Sequence, residues 1–403
     1  MSPGLKRALR WLQPLFGALV LSLVAWNLPW SDQLVVKQEQ DGALVTVGAV
    51  TGTIDGDWRG DAVRFVPDGE AGDLSTLDLD AEPLALERAE DGSWVSGARP
   101  FDLRPRIQRV FLDVDRSGFA LAMGCFVMAL MCGVTRWWRL LRLAGCAVRW
   151  ADSFRLTYLG LFFNLVVPGL TGGDVIKAIL AAKENPGRRA DALVSVIVDR
   201  VLGLVTLAAL ATVVILFLGP PFDQIREAVA LVLAAMVGGA LTYVNPKLRR
   251  LVRFELLLDK LPLSQKFKEI DQAVMAYTRH PVEIGFALVL SIGNHLWSIA
   301  GIMALSVAFG VPTSLIGWWD YVAIVPVANM VSSLPLAPGG WGVGELIYAF
   351  LYDLLGASVA LGVAVSISFR ICQIFLGLVG GLYLLRPGAS AELHEAEAEA
   401  EKI

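Results

Sequence analysis

The sequence predicts an all-α polytopic membrane protein, built as an inverted repeat with two re-entrant helical hairpins, and a small β-rich exported domain inserted after the first span. Three observations predict this fold class. The mean hydropathy of the 403 residues is +0.59, with 55% hydrophobic and 18% charged residues, which excludes an ordinary soluble protein. Apolar runs recur along the chain, and a span needs about 20 such residues. Two apolar segments are interrupted by proline and glycine next to an acid.

The first interruption runs from Asn164 to Asp174 and reads N-L-V-V-P-G-L-T-G-G-D. Its helix-breaking residues are Pro168, Gly169, Gly172 and Gly173. Proline removes a backbone donor and glycine loosens a helix, so the freed backbone groups must be buried in protein or line a wet cavity. Basic runs on both sides place both flanks in the cytoplasm. Because the apolar limbs are too short for two spans, the segment is predicted to enter and leave on the same side.

The second interruption ends at Glu345 and reads S-L-P-L-A-P-G-G-W-G-V-G-E. Its helix-breaking residues are Pro338, Gly339, Gly340, Gly342 and Gly344. From Asp174 to Arg200 is 26 positions and from Glu345 to Arg370 is 25, and both arginines lie in long apolar segments. The flanks of this copy carry no basic residues, so its ends are predicted to lie outside. Such opposed copies are typical of an inverted repeat with a site near the bilayer midplane.

The N-terminal part divides into an anchor and an exported domain. Residues 1–30 place basic residues before an apolar run without a small-residue cleavage site, which favours an uncleaved anchor over a signal peptide. Residues 31–116 carry 18 acids and 9 bases, and short apolar runs separated by Asp-Gly pairs predict strands and tight turns. The net charge of the whole chain is −4 and that of residues 31–116 is −9, so the remaining residues carry a net charge of +5. A positive balance is expected for a membrane domain with basic cytoplasmic loops.

Residues 117–386 are predicted to form the membrane domain, followed by a disordered acidic tail at 387–403. Its parts are repeat A (117–219), a connecting span with a cytoplasmic linker (220–280) and repeat B (281–386). The run from Arg136 to Trp150 is predicted to lie along the inner surface as an amphipathic helix. The basic linker suits helices on an anionic leaflet, and a solvated connector explains it equally well. Both termini are predicted to be cytoplasmic, in a bacterial-type inner membrane.

Ionisable side chains inside spans identify the candidate site, because each costs about 2.5–3.5 kcal/mol at a helix centre and so needs a partner or a role. The candidates for substrate binding or translocation are Asp174, Lys177, Asp199, Arg200, Glu345 and Arg370. Arginine offers a planar donor fork that suits phosphate, and two arginines related by the repeat could hold one lipid phosphate. The alternative is that an acid simply neutralises Arg200 or Arg370 in a buried pair. Lys177 lies close enough to the inner face to snorkel.

Polar and aromatic residues complete the candidate set. Asn164 belongs to it, although interhelical hydrogen bonding is the expected role of this residue and of Asn294, His295 and Asn329. Trp341 could stack on a headgroup or simply pack, and both interpretations stay open. The exported acids favour solvated loops over a calcium site, because the fixed ligand spacing of a calcium loop is absent. No metal, cofactor or nucleic acid is expected.

Three segments carry a family resemblance. They are F-F-N-L-V-V-P-G-L-T-G-G-D-V-I-K at 162–177, S-V-I-V-D-R-V-L-G at 195–203 and L-P-L-A-P-G-G-W-G-V-G-E at 334–345. These segments resemble the membrane domain of lysylphosphatidylglycerol synthases, a flippase-like family that also occurs as stand-alone proteins. The resemblance implies a domain that moves a modified anionic phospholipid between leaflets. The soluble aminoacyltransferase domain of the full-length synthases does not follow here, so that enzymatic activity is not expected and the lysylated substrate is not implied.

The function predicted is therefore a flippase or transporter that moves an anionic phospholipid or lipid-linked headgroup through a cavity between the two hairpins. A membrane-embedded lipid-modifying enzyme is one alternative, but the sequence has no Asp-x-Asp near a predicted cytoplasmic loop, no P-loop and no histidine cluster. The Asp-x-Asp spacings at 55–57 and 78–80 fall in the predicted exported part and fit strand alternation better. The inverted repeat fits a small-solute transporter equally well. An assembly protein is a third alternative, since residues 31–116 depart from the family pattern and suggest an extracytoplasmic partner or a gate. The lipid, the direction, the energy source and the oligomeric state stay open.

Overall fold

The structure is a computed structural model. It describes residues 19, 22–26, 28–40, 43–68, 83–89, 94–97, 99–166, 172–219, 222–252, 254, 264–332 and 340–385. Most of the predicted anchor at 1–30, the tail at 387–403 and four of the predicted hairpin breaks lie outside these residues. Those four breaks are Pro168, Gly169, Pro338 and Gly339.

A closed barrel of six antiparallel strands forms the N-terminal part of the described chain. The strands are β1 (Asp32–Gln40), β2 (Ala43–Asp55), β3 (Ala62–Pro67), β4 (Leu84–Arg88), β5 (Trp94–Ser96) and β6 (Arg99–Arg104). Each strand pairs with the next, and β6 pairs back with β1 to close the ring. The residues of β3 alternate between exposed and buried, with Val63 and Phe65 inside. The barrel thereby buries one face of each such strand in its own apolar core.

A short helix, α1 (Ile107–Leu112), joins the barrel to the membrane domain. Asp32 is 1% exposed and ties this junction together, because its carboxylate accepts from the backbone N–H groups of Ile54 and Arg106. The indole N–H of Trp58 donates to Asp113 at 3.0 Å, just after α1. These bonds hold the barrel on the end of the membrane domain where the next helix begins.

The helices that follow are α2 (Arg116–Leu143), α3 (Trp150–Val166), α4 (Gly172–Glu184), α5 (Arg189–Phe217), α6 (Asp223–Val244), α7 (Pro246–Leu251), α8 (Ser264–Tyr277), α9 (Pro281–Ala308), α10 (Trp318–Ser332), α11 (Val343–Leu354) and α12 (Val359–Gly381). Single 3-10 turns at Pro186–Arg188 and Leu382–Leu385 flank α5 and α12. Among the described residues, α2, α9, α12, and α5 with its preceding turn are long and apolar enough to cross a membrane. The chain is thus a multi-pass membrane protein.

Asp115 caps the start of α2. Its carboxylate accepts from the hydroxyl of Ser117 and from the backbone N–H groups of Ser117 and Gly118. These three hydrogen bonds, the hydroxyl first, lower the pKa of Asp115, so the carboxylate stays ionised at the helix end that favours negative charge.

Equivalent helices of the two predicted repeats make equivalent contacts. The first helices, α2 and α9, pack antiparallel, with Gly118 against Ala308 at one end and Arg139 against Glu283 at the other. In each repeat the second helix packs on the third and the third on the fourth, as α3–α4–α5 and α10–α11–α12. The repeats also exchange contacts, because α3 packs on α12 and α10 packs on α5. The core of the membrane domain therefore lies where the two repeats interlock.

One predicted surface helix is wrong. The residues from Arg136 to Leu143 do not form a separate helix on the inner surface but continue α2 without a break. Trp137, Leu140 and Leu141 are each at most 1% exposed, so burial of these apolar groups keeps the last turns packed in the protein.

Two linker helices meet beyond the end of α6. The guanidinium of Arg249 on α7 donates to both oxygens of Asp271 on α8, at 3.0 and 2.6 Å, and the Tyr243 hydroxyl donates to the same carboxylate at 2.7 Å. Burial acts to raise the pKa of Asp271, but hydrogen bonds from Arg249 and Tyr243 outweigh it, and the pKa is lowered. This cluster fixes the described part of the linker to the membrane domain.

Candidate functional site

The first ion pair of the candidate site joins Asp174 and Arg200. Asp174 lies in the first turn of α4, and its carboxylate contacts the guanidinium of Arg200 near the middle of α5. The two side chains differ in exposure, with 58% of the Arg200 side chain accessible against 17% for Asp174. The arginine is therefore held by its acid and still presents much of its surface outward.

The start of α4 lies unusually close to α3. A Cβ added at Gly173 would lie 1.8 Å from the carbonyl oxygen of Gly160, so no side chain fits between the two backbones. The side-chain carbonyl of Asn164 accepts from the backbone N–H of Gly173 at 2.9 Å and so caps one of the free donors at the helix start. Gly172 begins the same helix. These contacts fix the position of Asp174 relative to α3.

The second ion pair joins Glu345 in the first turn of α11 and Arg370 in the middle of α12. The distance between Nε of Arg370 and Oε1 of Glu345 is 2.5 Å, and the side chains are 10% and 1% exposed. The other carboxylate oxygen accepts from the backbone N–H of Gly342 at 2.6 Å. Arg370 also donates from Nη2 to the carbonyl of Gly340 at 2.5 Å. This pair is buried and fully engaged, unlike the pair in repeat A.

Glycines shape the space around Arg370. Gly340 and Gly342 have φ values of +69° and +81°, which side-chain-bearing residues rarely adopt. A Cβ at Gly344 would lie 2.4 Å from Nη2 of Arg370. Trp341 covers the same guanidinium, whose Cζ lies 4.8 Å from its ring centroid, while 39% of the indole stays exposed. The loop therefore wraps the cation with backbone and one aromatic face.

Asp199 pairs with neither Arg200 nor Arg370. Its carboxylate accepts from Nε of Arg136 on α2 at 2.7 Å, and Nη1 of Arg136 donates to the Ser291 hydroxyl on α9 at 2.8 Å. Arg136 was not a predicted site residue, because a basic residue after an apolar run is typical of a helix end. Arg136 is buried, and its hydrogen bonds connect α2 with α5 and α9.

Lys177 does not snorkel. It is 7% exposed, and its ammonium lies 3.8 Å from the ring centroid of Trp137 on α2. The indole N–H of Trp137 donates to the Ser195 hydroxyl on α5, which fixes the ring that faces the ammonium. Lys177 is thus a buried cation held by an aromatic face.

Two further polar residues bond between helices. The side-chain amide of Asn294 on α9 donates to the carbonyl of Ala129 on α2 at 2.6 Å. The ring Nε2 of His295 lies 3.0 Å from the carbonyl of Gly203 on α5. These contacts give Asn294 and His295 positions between the helices rather than in an open cavity.

The charges are unequal between the repeats. Repeat A brings together the cations of Arg136, Lys177 and Arg200 and the anions of Asp174 and Asp199, an excess of one positive charge. In repeat B the described counterparts are one acid and one arginine, which balance. The candidate site therefore carries a net positive charge on the side of α2, α4 and α5. Separately, no group of metal-ligating side chains occurs in the part of the chain that the structure describes.

The comparison with known families decides the identity of this helical arrangement. Residues 106–381 match the model of the family described as the lysylphosphatidylglycerol synthase TM region. The chain belongs to this family. The match runs from the residue before α1 to the end of α12, so it includes both ion pairs, and the β barrel precedes it. The resemblance noted in the sequence is thereby confirmed.

Two relatives of this chain have names that state no activity. The UPF0104 membrane protein PH1989 of Pyrococcus horikoshii is 22% identical over 313 residues, which cover 70% of this chain and 90% of the relative. A UPF0104 membrane protein of Methanothermobacter thermautotrophicus is 23% identical over 245 residues, covering 56% of this chain and 70% of the relative. Both names agree with the assignment of this chain as a membrane protein.

Proposed function

We propose that this protein is a lipid flippase or transporter that moves an anionic phospholipid or a lipid-linked anionic headgroup between the leaflets of a bacterial-type inner membrane. The headgroup passes between the two helix pairs that carry Asp174 and Glu345, while the acyl chains stay in the bilayer. Chemistry is not part of this role, and the protein is not an enzyme. Residues 31–116 face the outside, where they receive a partner or gate the pathway.

The exposed side chain of Arg200 carries this proposal. Arg200 lies about 16 Å along α5 from its first residue, at the helical rise of 1.5 Å per residue, and so at membrane depth. A charged side chain in contact with acyl chains is costly, and such groups face a bundle interior or a water-filled cavity. An arginine with 58% of its side chain accessible therefore supports a polar pathway beside α5. Its donor fork suits a phosphate.

The helix lengths support re-entrant hairpins at the centre of this pathway. In repeat A, α3 has 17 residues and α4 has 13, and in repeat B, α10 has 15 and α11 has 12. Each is shorter than the roughly 20 residues of a span. The exchanged packing of α3 on α12 and of α10 on α5 agrees with an inverted repeat whose halves move against each other.

The test is translocation of headgroup-labelled phosphatidylglycerol in proteoliposomes. Wild-type protein is compared with Arg200→Gln, with Arg370→Gln and with Arg250→Gln, a control that removes an exposed charge from α7. We expect Arg200→Gln to lower the translocation rate by about ten-fold or more, because a charge-assisted hydrogen bond to phosphate is lost. We expect Arg370→Gln to lower the rate as well, because it breaks the buried pair that holds the start of α11 against α12. The control should keep the wild-type rate.

The variants also separate a transport role from a purely structural one. Arg370→Gln leaves Glu345 buried without its partner, so the double variant Glu345→Gln/Arg370→Gln, which removes both charges, is measured beside it. A folded double variant that still fails to move lipid supports a transport role for the pair. Wild-type protein that moves no lipid of any class, or an Arg200→Gln protein that transports normally, would overturn the proposal. Uptake of a soluble anion instead of lipid would favour a small-solute transporter.

A further inference from the structure

A polar cavity lies between the last turns of α2 and the first turn of α9, and neither ion pair of the candidate site lines it. Its volume is about 530 Å³. The side chains that line it are Trp138, Arg139, Arg142, Leu143, His280 and Glu283. Pockets for small ligands commonly have volumes of about 300–1,000 Å³, so this space is large enough for a lipid headgroup. It opens at the end of the membrane domain that carries the basic linker.

The two arginines of the cavity differ in their partners. The guanidinium of Arg139 donates to both carboxylate oxygens of Glu283, at 3.1 and 3.2 Å. Its Cζ lies 4.2 Å from the ring centroid of Phe286. Within the described part of the chain, no carboxylate pairs with Arg142, whose contact is the face of Trp138 with Cζ 5.2 Å from the ring centroid. The acid therefore neutralises Arg139, and Arg142 leaves the cavity with one net positive charge.

A hydrogen bond fixes the ring of Trp138 beside the guanidinium of Arg142. Its indole N–H donates to the carbonyl of Val148 at 3.1 Å, which fixes the ring while its face meets Arg142. Tryptophan and arginine together at the end of an apolar helix are typical of the membrane–water interface. Arg142 lies about 9 Å along α2 from Arg136, at 1.5 Å per residue, so the cavity is distinct from the buried network at Asp199.

An exposed apolar stripe leads from the cavity along α9. It consists of Val282, Phe286, Val289 and Ile292, which are 82%, 42%, 63% and 41% exposed. These residues are three or four positions apart and so share one helix face, next to Glu283 at the cavity wall. A positive cavity above an apolar stripe matches a molecule with an anionic head and acyl chains. A free inorganic anion would use the cavity alone.

We propose that this cavity binds the phosphate of an anionic phospholipid from the leaflet on the linker side of the membrane. Arg142 supplies the ion pair, His280 and the outer face of Arg139 line the headgroup space, and the acyl chains lie on the α9 stripe. The site is independent of the translocation pathway proposed above. It can hold lipid in a protein that moves none.

Native mass spectrometry of the full chain in a neutral detergent tests this site. The probes are dioctanoyl phosphatidylglycerol, dioctanoyl phosphatidylcholine and inorganic phosphate. We expect one phosphatidylglycerol to bind preferentially, and Arg142→Gln to weaken its apparent affinity about five-fold, since a basic residue near an anionic lipid contributes about that factor. Arg250→Gln removes an equal charge from an exposed position on α7 outside the cavity and should leave the affinity unchanged.

Each other outcome of this experiment has a defined meaning. His280→Gln is a second cavity variant, and a loss of affinity in it as well as in Arg142→Gln supports the site. Equal losses in Arg142→Gln and Arg250→Gln would show general attraction to a basic surface and overturn it. So would equal binding of phosphatidylcholine, or displacement of phosphatidylglycerol by millimolar inorganic phosphate, which would indicate a free-anion site. Because transport is not measured, failure of this proposal is distinguishable from failure of the proposed function.

Discussion

Asp199 and Arg136 form an ion pair across α5 and α2, with 2.7 Å between Oδ1 and Nε and about a tenth of each side chain exposed. The next residue along α5, Arg200, pairs with Asp174 instead. Successive residues on a helix point about 100° apart, so one Asp-Arg dipeptide serves two separate partners. In the buried pair, Arg136 also donates to the Ser291 hydroxyl on α9. The more exposed pair of Asp174 and Arg200 faces the proposed pathway.

Asp199→Asn should lower the free energy of unfolding by about 3 kcal/mol, because breaking a buried pair leaves Arg136 charged and uncompensated. The double variant Arg136→Gln/Asp199→Asn should lose less, since no lone charge remains. A denaturant titration of the detergent-solubilised protein measures both. The single variant Arg136→Gln completes the cycle, and single losses that simply add in the double variant would show that the two side chains are not coupled.

Gly173→Ala should destabilise the protein by about 3 kcal/mol, because its Cβ would lie 1.8 Å from the Gly160 carbonyl and the two helix backbones must separate. Gly239→Ala on α6 is the matched control, since nothing lies within 4 Å of its Cβ. The control should be neutral or stabilising by up to about 1 kcal/mol from helix propensity. Unfolding measurements that rank the two variants alike would contradict the close approach of α3 and α4.

The Asp271 cluster should make stability depend on pH in the acid range. The lowered pKa of Asp271 means that its stabilising contribution is complete above the ordinary value of about 4 and is lost as the pH falls through the lower folded value. Wild type should therefore unfold at a higher temperature than Asp271→Asn at pH 7. This difference should shrink only below about pH 4. A difference that disappears between pH 7 and 5 would mean that the carboxylate is not held by Arg249.

Trp58→Phe should loosen the junction between the barrel and the membrane domain, because its hydrogen bond to Asp113 is lost at a cost of about 1 kcal/mol. Hydrogen exchange of the α1 amides should become faster. Trp319→Phe is the control, since Trp319 is 62% exposed and lies on α10. Unchanged exchange in α1 would show that other contacts alone hold the barrel.

The sequence predicts some of these relationships and not others, for identifiable reasons. The spacings from Asp174 to Arg200 and from Glu345 to Arg370 select four residues that the structure joins as two pairs. In both repeats, an acid in the first turn of one helix meets an arginine near the middle of the next helix. The predicted position of Arg136, in a surface helix, was wrong, because composition does not show that α2 continues beyond its apolar part.

Other features depend on contacts that are distant in sequence. Alternating residues predict strands at 31–116, but closure of the barrel rests on the register of β1 against β6, in which Val36 faces Phe101. The burial of Lys177 depends on the face that Trp137 turns towards α4. Neither relationship has a local signal in the chain, because each is set by the packing of separate elements.

Closure of the β barrel also limits how the N-terminal domain could recognise a partner of the kind proposed above. Since β6 pairs with β1, the described strands leave no open edge at which an extended peptide could add as a further strand. Recognition must then use side chains on the barrel surface and the connecting loops. Substitutions in those outward-facing positions, rather than backbone disruption of a strand, are the changes that would separate partner binding from folding of this domain.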